Sequence, residues 1–62
     1  MGKVKNTIIE LSNLVADYIW RMNTIDNLDK FIKEQKLDLF TFYIENKELI
    51  IETAFEVLNL DK

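Results

Sequence analysis

The chain has 62 residues, 48% of them apolar, with one glycine and no proline, cysteine or histidine. A chain of this length makes one domain at most and buries only about 60% of the surface its unfolded form exposes; without cysteine it lacks the disulfides and tetrahedral zinc sites that stabilise many short chains. Eight basic against eleven acidic side chains give a net charge of −3, the wrong sign for affinity that rests on neutralising phosphates, so nucleic acid is not expected as a direct partner.

The scarcity of glycine and proline disfavours tight hairpins and predicts an all-α fold, a small bundle of three helices forming a single domain over residues 1–62. In the first third, Val4, Ile8, Leu11, Val15, Tyr18, Met22 and Ile25 recur at spacings of four and three, one face of a helix over about residues 4–22. Asn23-Thr24-Ile25-Asp26 then offers capping side chains for a second helix near residues 26–36, with Leu28, Phe31 and Ile32 inward and Lys30, Lys33 and Lys36 opposite. From Asp38, a suitable N-cap, a third helix is predicted over residues 38–59. Phe40, Tyr43, Ile44, Ile50, Ile51, Ala54, Phe55, Val57 and Leu58 fall within one half of its wheel. The apolar faces of the second and third helices are offset by roughly 100°, which places a break near Lys36-Leu37-Asp38. A hairpin of residues 39–44 with 49–51 is the alternative, because both runs have high β-propensity. Against it, Glu45, Glu48, Glu52 and Glu56 cluster on one helical strip that a strand would scatter.

Nucleophilic triads need a base such as imidazole beside the nucleophile, and here histidine and cysteine are absent and Ser12 is the only serine. Phosphate-cradling loops need several glycines, and Gly2 stands alone. The glutamate strip lacks the desolvated cleft that general acid catalysis requires, and no calcium loop with its turn glycine is present. A non-enzymatic protein without catalytic, metal or cofactor sites is therefore expected. Lys30, Lys33 and Lys36 are interleaved with Asp26, Asp29 and Glu34, as on a solvated helix face with pairs such as Asp26 with Lys30. No apolar run approaches the roughly 18 residues of a membrane span, and residues 1–6 lead into an amphipathic pattern unlike a signal peptide; a cytoplasmic location is expected.

Apolar residues on the outer faces carry more information. Ile9, Ala16 and Trp20 lie opposite the inward face of the first helix, and Leu39, Phe42 and Leu49 lie beyond the acidic strip of the third. A contiguous patch containing Trp or Phe marks an interaction surface; the second ridge could equally be covered by the short second helix. Lys47 falls in the apolar face of the third helix, where its stem could snorkel or its charge could pair across an interface. Ile9, Ala16, Trp20, Leu39, Phe42, Leu49 and Lys47 are the candidate protein-interface residues.

Residues 24–36, Thr-Ile-Asp-Asn-Leu-Asp-Lys-Phe-Ile-Lys-Glu-Gln-Lys, resemble the second helix of the Hha/YmoA family, in which Thr-Ile-Asp-x-Leu is followed by acidic, basic, apolar and isoleucine positions. Tyr18 and Arg21 resemble the tyrosine and arginine before it, and Leu39, Phe42, Tyr43, Ile50, Glu52 and Leu58 are similar in type to positions of that family's long third helix. The match runs from Tyr18 to Leu58. Departures are a longer first helix, a shorter connection before the third, a single arginine, no counterpart of the family's final segment, and Lys47-Glu48-Leu49 where the family carries Asp-His-Arg. The resemblance implies a small regulator that binds the dimerisation region of H-NS-type nucleoid proteins and modulates silencing of gene expression.

Together these features predict an interaction module that acts by protein-protein contact, docking on a larger partner or self-associating through the first and third helices, with a homodimer expected. The alternatives are a dimeric nucleic-acid-binding regulator using Lys30, Lys33, Lys36 and the amino-terminal lysines, or a small inhibitor of mobile-element origin that blocks a host protein.

Overall fold

The computed structural model describes the backbone of residues 2–60 and the side chains of residues 6–59. Its elements are α1 (Gly2–Met22), α2 (Leu28–Gln35), a 3₁₀ turn (Leu37–Leu39), α3 (Phe40–Glu45) and α4 (Lys47–Leu60). The fold is all-α: among the described residues there is no strand, and the segments that could have formed a hairpin are turn and helix. The predicted count of three helices is corrected, because the third divides in two.

Leu11, Val15 and Tyr18 of α1 are buried as the spacing predicted. The side chains of Val4 and of the amino-terminal lysines, Lys3 and Lys5, lie outside the described residues. The helix ends at Asn23, whose φ of 57° is left-handed and whose N–H donates to the Ile19 carbonyl at 2.8 Å. A residue that turns left-handed just past a helix closes one of its open carbonyls in this way, and asparagine tolerates the conformation better than most residues with a Cβ. Asn27, at φ 64°, adopts the same conformation on the other side of the turn. Between them the Asp26 N–H donates to Thr24 Oγ1 at 3.1 Å, and the Tyr18 hydroxyl donates to the Asp26 carbonyl. The stretch expected to cap a helix is thus a reversal tied back to α1. Met22 and Ile25, expected on the inward face, are exposed beside it.

The predicted break after α2 is present: Lys36 leaves the helical region at φ −140°, ψ 64° while its N–H still reaches the Ile32 carbonyl at 2.7 Å. Asp38, expected as an N-cap, instead lies inside the 3₁₀ turn and caps neither neighbour. The second break, at Asn46, was not predicted. Its N–H is shared between the carbonyls of Phe42 at 3.1 Å and Tyr43 at 3.2 Å, its Nδ2 donates to Phe42 at 3.0 Å, and its own carbonyl accepts from Ile50 at 2.9 Å. Asparagine side chains compete with the helical backbone for such bonds. Asn46 therefore ends α3 and starts α4 without interrupting the apolar periodicity around it.

The core draws Leu11, Val15, Ala16 and Tyr18 from α1, Leu28 and Ile32 from α2, Tyr43 from α3, and Ile50 and Ala54 from α4. The most extensive packing is between α1 and α4. Ala16 was placed with the outward residues and is corrected: it is only 4% exposed and lines a cleft together with Val57 and Leu58 of α4. The wheel places it outward because the buried part of α1 is wider than a single inward face: it runs from a first arc that includes Tyr18, against Phe31 of α2, to a second that includes Ala16, beside α4. Ser12, on the second arc, is fully buried.

Candidate interaction surface

The surface is built around Trp20, near the end of α1 and 75% exposed. An indole carries about 150–250 Å² of mostly apolar surface, so holding it in water forgoes a few kcal/mol of burial. Two clefts border it. One, of about 230 Å³, is lined by Asn13, Ala16, Asp17, Val57 and Leu58; the other, of about 370 Å³, is lined by Ile19, Asn23, Phe55, Leu58 and Asn59. Phe55, expected in the core, is 46% exposed and adds a second aromatic ring. The charge beside Trp20 is balanced, because Arg21 Nε lies 3.2 Å from the Asp17 carboxylate four residues earlier, the favourable order for such a helical pair.

Ile9, grouped with Trp20 in the sequence, is exposed on the same side of α1, but eleven residues of helix put it about 16 Å away along the axis. Leu39 and Phe42 are half-buried and pack on the core, so these two members of the second ridge are covered within the chain. Leu49 remains exposed and shares an open depression with Ile44 at the junction of α3 and α4.

The charge of Lys47 is paired within the chain. Its Nζ lies 2.9 Å from Asp29 Oδ1 and 3.0 Å from Oδ2, and the Tyr43 hydroxyl donates to the same carboxylate at 2.7 Å. One half-exposed acid on α2 thus fixes α3 and α4. The bonds from Lys47 and then from Tyr43 hold the Asp29 carboxyl below its usual range. Burial of its ring, and then the Asp29 acceptor, push the Tyr43 hydroxyl well above the usual tyrosine value.

The basic stripe is partly engaged inside the chain. Lys33 Nζ sits 5.8 Å from the centroid of the Phe40 ring, within cation-π range, and Lys36 Nζ lies 3.4 Å from a Glu10 carboxylate oxygen. The expected pair of Asp26 with Lys30 is not among the ion pairs of the described residues. Glu45, Glu48, Glu52 and Glu56 are exposed. Among the described residues no cluster of ligating side chains is arranged to hold a metal ion, and no helix is long and apolar enough to cross a membrane.

Two groups of functional interest were missed in the sequence. Phe55, Leu58 and Ile19 sit at the outer edge of the α1/α4 contact, and the signal for them was the width of the apolar arc on α4, too broad for one facing helix. The Asp29, Tyr43 and Lys47 cluster joins residues 14 and 18 positions apart, beyond the reach of any local spacing rule.

Compared with family models, characterised proteins and solved structures, the chain matches none.

Proposed function

We propose that this chain is a non-enzymatic interaction module that acts by protein-protein contact, through a surface centred on Trp20. The observation that carries the proposal is the placement of the chain's only tryptophan, three-quarters exposed and shared by two clefts whose apolar lining is Ala16, Ile19, Phe55, Val57 and Leu58. Tryptophan is the residue type most enriched at the energetic centres of interfaces. A nucleic-acid role is less favoured, since Lys33 and Lys36 are occupied within the chain. Partners of two kinds fit, a second copy or a larger cytoplasmic regulatory protein; by the Hha/YmoA resemblance the latter is an H-NS-type nucleoid protein, although Lys47, where that family differs, is tied to Asp29.

The test is Trp20→Ala. Partner binding should fall while helix content and thermal unfolding of the isolated chain stay unchanged. Loss of folding would show Trp20 to be structural and overturn the proposal.

A further inference from the structure

Resting on the contact surface proposed above, we infer that its occupant is a second copy of this chain, joined about a two-fold axis with each Trp20 seated in the cleft of Ile19, Phe55 and Leu58 on the other copy. A two-fold interface uses the same patch on both subunits, so the patch must be complementary to itself. This one carries both halves together: a largely exposed indole and a cleft of about 370 Å³ that has this indole as one wall and Ile19, Phe55 and Leu58 as its other apolar walls, so that two paired copies would stack each indole beside the other's.

Charge points to the same occupant. In a chain of net charge −3, two copies brought together at random surfaces repel, and like charges directly opposed across an interface are costly. The residues lining the two clefts include a single charged side chain, Asp17, and Arg21 neutralises it at 3.2 Å. The remaining polar lining is Asn13, Asn23 and Asn59, amides that both donate and accept and so can face their own kind. A basic partner would find little here to recognise; its counterpart would be the exposed glutamates Glu45, Glu48, Glu52 and Glu56, of which none lines these clefts.

The full chain should be followed by sedimentation equilibrium and by tryptophan emission over the same dilution series, from high to low micromolar. The expected result is a monomer-dimer equilibrium, with emission that shifts to longer wavelength as the dimer dissociates and Trp20 becomes hydrated, and a Kd little changed by added salt. Trp20→Ala should raise Kd about 30-fold or more, and Phe55→Ala should raise it too. Leu49→Ala, on the separate patch, should leave it within about twofold. A monomer at every concentration with unvarying, fully hydrated emission would overturn the second-copy inference while leaving the surface open to a different protein. A dimer broken by Leu49→Ala but not by Phe55→Ala, or a Kd that rises steeply with salt, would also overturn it. If Trp20→Ala instead unfolded the chain, the contact surface itself would be refuted.

Discussion

Lys47 of α4 and Asp29 of α2 form a bidentate ion pair, at 2.9 Å and 3.0 Å, that is the only charged link among the described residues between the second and the last helix. Both side chains are close to half exposed, so their coupling is small, about 0.5–1 kcal/mol, and a double-mutant cycle of Asp29→Ala with Lys47→Ala should return a value in that range. Its use is positional: together with Tyr43 it sets where α3 and α4 sit on α2.

The same cluster gives the stability profile two limbs. Because the Asp29 pKa is depressed below 3.8 in the fold, its contribution is present above that value and is lost as pH falls through the folded pKa. Tyr43 has the opposite sign: its pKa is raised, so its contribution is complete below the unfolded value of 10.0 and is lost as pH rises beyond it. Urea midpoints measured against pH should show Asp29→Asn flattening the acid limb and Tyr43→Phe flattening the alkaline limb.

Ser12 is fully buried and its hydroxyl has no hydrogen-bond partner among the described residues. An unpaired buried hydroxyl costs about 1–3 kcal/mol of desolvation. Ser12→Ala should therefore stabilise the chain, by up to about 1 kcal/mol, which raises the melting temperature by about 4–8 °C in a domain of this size. A fall in melting temperature would show that the hydroxyl is bonded after all.

Ile50 and Trp20 should respond very unequally to truncation. Ile50 is sealed in the core, and Ile50→Ala should remove about 2–5 kcal/mol of a total of about 3–9 kcal/mol for a chain of this length. Trp20→Ala should change the stability of the dilute chain by no more than about 0.5 kcal/mol. Thermal melts followed by circular dichroism at low micromolar concentration would separate the two.

Asn23 can be tested through its backbone. Glycine is freer at positive φ, so Asn23→Gly should be neutral or slightly stabilising, whereas Asn23→Val should cost about 1–2 kcal/mol, the penalty for a side chain in the left-handed region. Equal melting temperatures for the two variants would argue against the left-handed turn.

Much of the fold was legible because it rests on local periodicity. Leu11, Val15 and Tyr18, then Leu28 and Ile32, then Tyr43, Ile50 and Ala54 recur at helical spacing and are buried. The offset between the apolar faces of the later helices also located the break near Lys36. The break at Asn46 was hidden because its cause is one side-chain amide bonded to Phe42, a competition that leaves the hydrophobic pattern intact. Ala16 and Phe55 exchanged roles because each helix has an apolar arc wider than one facing surface: the buried arc of α1 extends far enough to take in Ala16 beside Val57 and Leu58, and the arc of α4 extends past α1 and leaves Phe55 exposed. Trp20 was recognisable as outward from its position on the wheel; the clefts beside it were not, since their far walls, Phe55, Val57, Leu58 and Asn59, come more than thirty positions later.

That separation along the chain has a bearing on synthesis. Leu11, Ser12, Val15 and Ala16 leave the ribosome long before Ile50 and Ala54, and at about 5–20 residues per second several seconds pass before α4 can cover them. During that interval α2 shields only part of the apolar flank of α1, so the nascent chain displays a greasy helix with a tryptophan near its end. Chaperone capture, or the company of a neighbouring nascent chain on the same message, would act on this window, and the finished protein would keep no trace of it.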